Sequence, residues 1–202
     1  MSIWLGKDPL ILASQSRARQ MLLASAGIAF EAIPADIDER AVQKNSGLSA
    51  PGEIAKLLTQ EKALSVSLQK PGRYVVGADQ TLALGDQLFS KPAGRAAAAV
   101  QLRLLSGNSH ELHAAFAVAR DGKILFADVS IAKMTMRSLS ESGIEAYLNQ
   151  AGDAVTTSVG AYQLEGLGVH LFERIDGDHF TILGLPLLPL LAFLRRERLL
   201  GV

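Results

Sequence analysis

The sequence contains no cysteine among its 202 residues. This absence excludes disulfide bonds, cysteine nucleophiles and thiolate metal sites, and it suits a reducing compartment. Its four histidines show no His-x-x-x-His spacing, so a zinc site is not expected. We therefore expect a cytoplasmic protein without structural cross-links.

A net charge is also missing, because 20 Lys and Arg residues balance 20 Asp and Glu residues. Such a chain has no general electrostatic attraction for DNA, RNA or an anionic membrane. A single tryptophan offers no platform for stacking bases. We expect no nucleic-acid partner, and any affinity for phosphate has to come from a local cluster of positive groups.

Long hydrophobic runs are absent as well. The most apolar segment, residues 182–194, contains two prolines and is too short to span a bilayer. Near the N-terminus, Lys7 and Asp8 precede an apolar run of four residues, which is too short for a signal peptide. We expect no association with a membrane.

The overall composition, 49% hydrophobic and 20% charged, is that of an ordinary globular protein. The length suits one good core, or two small lobes around a cleft, and we expect a single domain over residues 1–202. Apolar runs at residues 10–13 and 74–76 predict buried strands, and helical spacing marks residues 17–26 and 51–68. Residues 40–50 are predicted as a polar loop, and residues 180–183 as a strand.

The segment Arg73-Tyr-Val-Val-Gly-Ala-Asp-Gln-Thr81 is the centre of the functional interpretation. Its apolar residues predict a short strand, and Gly77 and Ala78 leave room for a close approach of backbone or ligand. Asp79 then follows the predicted carboxyl end of the strand, where open α/β sheets bind their ligands. An aspartate at the end of a strand more often caps the next turn, which is the alternative here.

Positive groups elsewhere offer sites for an anion. Ser16 is the expected N-cap of the first helix, so free N–H groups and the helix dipole meet there beside Arg19. An ordinary capped helix with a solvated arginine is the alternative. Lys62 falls late in the second helix, where a lysine is usually a surface residue, and Lys91 follows a predicted hairpin strand.

The acidic run Asp36-Ile-Asp38-Glu39 has two interpretations. It is either a solvated loop or a source of oxygen ligands for Mg²⁺. Cations and N–H groups bind a polyphosphate, and acids bind its metal. Because no serine stands in a Gly-x-Ser-x-Gly motif, direct attack by water fits better than a covalent intermediate. The spacing of these residues by itself supports only metal-assisted phosphate chemistry.

His110 and His113 are predicted to share one face of a strand and to be structural.

The chain resembles the Maf proteins, a family of nucleoside triphosphate pyrophosphatases, over nearly its whole length. The resemblance depends on ordered motifs, none of them specific alone: Leu10-Ile-Leu-Ala-Ser-Gln-Ser16 with Arg19, Gln60-Glu-Lys-Ala63, Val76-Gly-Ala-Asp-Gln80, Ser90-Lys-Pro92, Leu105-Ser-Gly107 with His110, Gly160-Ala-Tyr162 and Gly184-Leu-Pro186.

The resemblance implies a mixed, strongly twisted β-sheet with flanking helices around a deep cleft, in a protein that is often dimeric. It implies hydrolysis of a nucleoside triphosphate to the monophosphate and pyrophosphate, with Mg²⁺ or Mn²⁺ as cofactor. Asp79 would accept the proton, and Glu39 with Asp79 would bind the metal. The triphosphate would be held by four residues: Ser14, Arg19, Lys62 and Lys91.

Departures from the family pattern concern the base. Ser16-Arg17-Ala18-Arg19 lacks the proline and the first arginine that usually follow the second serine. Gln80 and Glu165 resemble the branch that acts on 7-methyl-GTP, in which a carboxylate could pair with the donor edge of guanine. That branch has an aromatic residue at the position of Ala18, however, so the preferred base stays open.

A second function class competes with the enzyme. The family has been linked to arrest of septum formation, so the chain could be a nucleotide-sensing regulator without significant turnover. Asp79 argues against this alternative, because a sensor that only binds has no need of a proton acceptor.

Overall fold

The computed structural model describes residues 3–201 and shows two compact units. The first unit contains the residues up to Gln80, Ala114–Ser130, and the residues from Leu183 onward. The second unit contains Thr81–His113 and Ile131–Ile182. Strands pass from one unit into the other along the chain, but each unit has its own buried residues. The expected cleft between two lobes stays a prediction.

The described residues form a mixed, open sheet of seven strands. The spatial order is β2-β1-β3-β5-β6-β7, and β4 pairs with β3. Strand β1 is parallel to both β2 and β3, whereas the β3–β4 and β6–β7 pairs are antiparallel. The strands are β1 (Leu10–Ala13), β2 (Phe30–Ala32), β3 (Val75–Leu84), β4 (Gln87–Phe89), β5 (Ser109–Arg120), β6 (Lys123–Met136) and β7 (Phe172–Asp176).

Seven α-helices accompany this sheet in the described part of the chain, which confirms the α/β fold class. They are α1 (Arg17–Ser25), α2 (Glu39–Ser46), α3 (Pro51–Gln69), α4 (Arg95–Leu105), α5 (Glu141–Ala151), α6 (His179–Ile182) and α7 (Leu187–Arg196). Short 3₁₀ helices cover Gly152–Thr156, Val159–Ala161 and Leu167–Leu171. Within residues 3–201, no helix has both the length and the apolar character needed to cross a bilayer.

The core of the first unit follows from its continuous apolar strands. All four residues of β1 are buried, as are Val75 and Val76 of β3, because these parallel strands are covered on both faces. Helix α3 contributes Ile54 and Ala55, both fully or almost fully buried. Burial of a Val, Leu or Ile side chain stabilises the fold by about 1.5–3 kcal/mol.

The second unit packs α4 and α5 around residues of β6. Leu102, Leu105, Met134 and Leu148 are among its fully or almost fully buried side chains. The side chain of His110 lies in the same unit and is 1% exposed. Its Nε2 atom is 2.7 Å from the hydroxyl oxygen of Tyr162, which is a structural contact of the kind expected.

Two sequence-based expectations about single segments need correction. His110 and His113 do not share a face of β5, because residues three apart in a strand point to opposite sides. Helix α2 occupies residues 39–46, so all but its first residue lie in the segment 40–50 that the sequence predicts as a polar loop.

The predicted strand over residues 180–183 is also wrong. Its first three residues belong to the short helix α6. The Asp178 carboxylate lies at the start of this helix, where its Oδ1 atom accepts the backbone N–H groups of Phe180 at 2.9 Å and Thr181 at 3.0 Å. Such a side-chain acceptor satisfies N–H groups that have no partner inside the helix.

Strand β3 is longer than the strand that the sequence predicts. It continues through Asp79 to Leu84, so Asp79 lies inside the strand instead of after its end. The pairing with β1 stops at Ala13 and Gly77, however, and the pairing with β4 begins at Leu82. Asp79 therefore follows the part of β3 that pairs with β1.

Candidate active site

The close approach of α3 to β3 positions the first two site residues. A Cβ atom on Gly77 would lie 2.1 Å from the carbonyl oxygen of Thr59 and 2.8 Å from the backbone nitrogen of Ala63. Only glycine allows the two backbones to lie so close together. The contact brings the turn of α3 that carries Lys62 beside the segment of β3 that carries Asp79.

Lys62 lies between two carboxylates. Its Nζ atom is 2.6 Å from Oδ1 of Asp79 and 2.9 Å from Oε1 of Glu39. The side chains of Lys62 and Asp79 are only 10% and 13% exposed, whereas that of Glu39 is 52% exposed. The lysine is thus a nearly buried ammonium with a largely buried acid on one side and a solvent-accessible acid on the other.

Glu39 owes its position to the start of α2. Asp38 is the N-cap of this helix, and its Oδ1 atom accepts the backbone N–H of Ala41 at 3.0 Å. Glu39 is the first residue of the helix, where a negative charge is favoured by the helix dipole. The acidic run is therefore not only a solvated loop, because Asp38 caps a helix and Glu39 contacts Lys62. Its role as a source of Mg²⁺ ligands stays a prediction.

A second cluster surrounds the guanidinium of Arg19. Its Nη1 group donates to the carbonyl oxygen of Ala78 at 2.7 Å and to Oγ of Ser14 at 3.1 Å. Its Nε group donates to the carbonyl oxygen of Gly184 at 2.7 Å. Because Ala78 directly precedes Asp79, this cluster adjoins the one around Lys62. The three bonds do not use the two N–H groups on Nη2.

Ser14 and Ser16 complete this cluster at the start of α1. Ser16 is the N-cap, as the sequence predicts, and its hydroxyl accepts the backbone N–H of Arg19 at 3.5 Å. The Oγ atom of the buried Ser14 accepts from the backbone N–H of Ser16 at 3.2 Å. With Arg19 also donating to it, the Ser14 hydroxyl can direct its own proton towards a bound acceptor.

Electrostatic effects on Arg19 oppose one another. Burial lowers the pKa of its guanidinium from the ordinary value, while the negative charges of Asp79 and Glu39 act in the opposite direction. An arginine keeps its charge at neutral pH even so. The site therefore combines two cations, Arg19 and Lys62, with two carboxylates in one unit.

The predicted site residues fall into two groups. Five of them meet in the two adjoining clusters of the first unit: Ser14, Arg19, Glu39, Lys62 and Asp79. Gln80 follows Asp79 on β3 and is partly buried.

Lys91 and Glu165 belong to the second unit. Lys91 is exposed just after β4, and Glu165 is exposed in a turn that precedes the 3₁₀ helix Leu167–Leu171. Their participation in the same site stays a prediction.

Two backbone carbonyls of the site escape prediction from the sequence. The oxygens of Ala78 and Gly184 orient Arg19, but a main-chain acceptor leaves no side-chain signal in a sequence. The Gly184-Leu-Pro186 motif is the one indication the sequence offers. Gly184 has φ of +86°, a conformation that favours glycine, and a Cβ there would lie 3.2 Å from the Arg19 guanidinium.

The donor set suits a hard divalent cation. Within residues 3–201 there is no group of three or more His, Cys, Asp or Glu side chains able to hold a metal. Two carboxylates do converge on the Lys62 ammonium, however. Mg²⁺ commonly uses one or two carboxylates and completes its shell with water and substrate phosphates.

Comparison with known proteins identifies the family. Residues 9–197 match the family described as Maf-like protein. The chain belongs to the Maf-like family. This agrees with the resemblance drawn from the motifs.

Relatives of this Maf-like chain carry enzymatic names. A protein of Bradyrhizobium diazoefficiens named nucleoside triphosphate pyrophosphatase is 69% identical over 202 residues, covering 100% of both chains. One of the same name from Nitrobacter winogradskyi is 65% identical over 202 residues, again covering 100% of both. A 7-methyl-GTP pyrophosphatase of Brucella abortus is 54% identical over 192 residues, which are 94% of this chain and 96% of the relative.

Proposed function

We propose that this Maf-like chain is a nucleoside triphosphate pyrophosphatase. It hydrolyses the bond between the α- and β-phosphates, so that a nucleoside triphosphate and water give a monophosphate and pyrophosphate. The observation that carries the proposal is the position of Lys62 between Asp79 and Glu39, beside the Arg19 cluster. The names of its full-length relatives support the same reaction.

Positively charged side chains and hydroxyl groups bind the substrate in this proposal. The Nη2 group of Arg19 and the hydroxyl of Ser14 offer donors to phosphate oxygens, and Lys62 offers a mobile ammonium. We include Lys91 as a further phosphate ligand on the grounds of its motif, Ser90-Lys-Pro92. Neutralising the triphosphate and fixing its orientation supply most of the rate enhancement in such reactions.

Asp79 is proposed as the proton acceptor. The attacking water forms a bond to the α-phosphorus, the bond from that phosphorus to the bridging oxygen breaks, and pyrophosphate leaves with the electron pair. The proton of the water passes to the Asp79 carboxylate and then to solvent. Lys62 holds Oδ1 of Asp79 at 2.6 Å and so fixes the carboxylate before the substrate arrives.

Glu39 and Asp79 are the proposed ligands of a divalent cation, Mg²⁺ or Mn²⁺. Their two carboxylates already converge on one positive group, which fits a cation that takes its remaining ligands from water and phosphate. When bound, the cation would neutralise the charge that develops on the phosphate oxygens.

A modified guanine is the base we favour for this site. Gln80 and Glu165 match the branch that acts on 7-methyl-GTP, and a relative of that name is 54% identical. Ala18 cannot stack on a base, so shape and the carboxylate of Glu165 would have to supply the preference. We also propose that the protein forms a homodimer and is located in the cytoplasm.

A substrate panel tests the function. Purified protein is incubated with Mg²⁺ or Mn²⁺ and each of the common nucleoside triphosphates, together with 7-methyl-GTP, and released pyrophosphate is measured. We expect pyrophosphate and the monophosphate in equal amounts from at least one substrate. Nucleotide binding by calorimetry without any hydrolysis would overturn the proposal in favour of a nucleotide-sensing regulator.

A further inference from the structure

The positive charge of Lys62 lies where the metal is expected to bind. Its Nζ atom is in hydrogen-bonding contact with one oxygen of Asp79 and one of Glu39, the two carboxylates assigned to the cation. The same two oxygens cannot accept the ammonium and coordinate a metal at full strength together. In the protein without ligands, Lys62 therefore competes for the metal ligands.

Burial makes this competition strong. The Lys62 side chain is only 10% exposed, and the Asp79 side chain 13%, so water screens the attraction between these two charges weakly, whereas Glu39, at 52% exposed, is screened more. A divalent cation within contact distance of both carboxylates would be strongly repelled by an ammonium that stayed in place. Binding of a metal alone would also leave this lysine charge without its two partners, which is costly for a buried group.

We propose that Lys62 acts as an internal counter-ion that opposes metal binding until a triphosphate arrives. The phosphates provide the negative charge that draws the ammonium away, and the flexible lysine stem permits that movement. Metal and nucleotide are then taken up together. This inference rests on the proposed function, because it uses Glu39 and Asp79 as the metal ligands.

The experiment measures Mn²⁺ binding to the nucleotide-free protein by electron paramagnetic resonance. We expect Lys62→Met, which keeps the unbranched stem of the side chain but removes its terminal charge, to bind Mn²⁺ about tenfold or more tightly than the unaltered protein. Lys62→Arg keeps a positive charge and should bind as weakly as the unaltered protein.

A matched control separates a local from a general effect. Lys56→Met removes one positive charge from the same helix α3 and should leave Mn²⁺ affinity within about twofold of the unaltered protein. The gain in Lys62→Met should disappear when Glu39→Gln is added, because the tighter site depends on that carboxylate.

Unchanged or weaker Mn²⁺ binding in a folded Lys62→Met variant would overturn the inference. Circular dichroism checks folding, and Lys62→Gln, which keeps a hydrogen-bond donor, replaces the methionine variant if that one does not fold. No turnover is needed for this measurement. A protein that hydrolyses triphosphates while Lys62→Met gains no Mn²⁺ affinity would refute the counter-ion role and leave the proposed function intact.

Discussion

Gly77 and Thr59 make a contact that leaves no space for a side chain. A Cβ on Gly77 would lie 2.1 Å from the Thr59 carbonyl oxygen, which belongs to the backbone of α3 and cannot rotate away. Lys62 lies three residues beyond Thr59, and Asp79 lies two residues beyond Gly77. The distance between the lysine and the aspartate thus depends on the absence of a side chain at position 77.

Gly77→Ala should therefore reduce both stability and activity. We expect the free energy of unfolding to fall by about 3 kcal/mol, since inserting a methyl group into tightly packed backbone forces α3 and β3 apart. Urea unfolding measures this change. Gly94→Ala is the control, because among residues 3–201 no atom other than those of its own chain neighbours lies within 4 Å of a Cβ at that position. A loss below about 1 kcal/mol in Gly77→Ala would contradict the tight contact.

Arg19→Lys should weaken substrate binding although it keeps the charge. A lysine cannot reach the Gly184 and Ala78 carbonyls and the Ser14 hydroxyl with one ammonium. Loss of charge-assisted hydrogen bonds predicts an increase in KM of about tenfold or more. Steady-state kinetics measures it, with Arg17→Lys as the control on the exposed side of the same helix. Equal KM values in both variants would show that the hydrogen bonds of the Arg19 guanidinium do not contribute to substrate binding.

Local signals in the sequence predict the elements that carry the site. The apolar run of β1, the Ser16 cap of α1 and the proline start of α3 all match the structure. The α/β class is also confirmed. The contact between Lys62 and Asp79 is not predicted by such local signals. It depends on the packing of α3 against β3, which the periodicity of apolar residues within one element does not describe.

The missed elements have weak apolar patterns. Helix α2 contains only two apolar residues, Ala41 and Val42, and buries none of its side chains, so no buried apolar stripe marks it as a helix. Its ends do carry signals, since Asp38 caps the start and Gly47, with φ of +67°, ends it. The four-residue α6 is too short for any periodicity, and its apolar residues resemble a strand.

Glu165→Gln tests the preference for a modified guanine. If the carboxylate accepts hydrogen bonds from the donor edge of the base, its loss should lower kcat/KM for 7-methyl-GTP by about tenfold or more. The ratio to kcat/KM for UTP is the informative quantity, because it cancels general effects. Glu173→Gln, an exposed change on β7, is the control. An unchanged ratio in Glu165→Gln would remove this residue from base recognition.

His110 should make the fold sensitive to acid. Burial lowers its pKa to about 4 in the folded state, and no partner for its Nδ1 atom is found within residues 3–201. An unfolded histidine has a pKa of about 6.5, so the unfolded chain binds the proton more readily between these values. Stability contributed by the neutral histidine is therefore lost as pH falls from about 6.5 towards about 4.

The measurement compares His110→Gln, which can still bond to Tyr162, with the unaltered protein in urea. Going from about pH 7 to about pH 5, the variant should lose about 2 kcal/mol less stability than the unaltered protein. His179→Gln replaces an exposed histidine and should keep the original pH dependence. Parallel stability curves for His110→Gln and the unaltered protein would exclude this histidine as the acid-sensitive group.

Asp79→Asn separates binding from chemistry at the centre of the site. The amide keeps the size of the carboxylate and an oxygen that accepts from Lys62, but it cannot take a proton from water. Turnover should therefore fall by about 10²–10⁴-fold, the usual contribution of a general base, while nucleotide binding by calorimetry persists. Asp86→Asn, an exposed change in the turn between β3 and β4, should keep full turnover. If Asp79→Asn also kept full turnover, another group would have to accept the proton of the attacking water. The pairing of Asp79 with Lys62 would then be structural only.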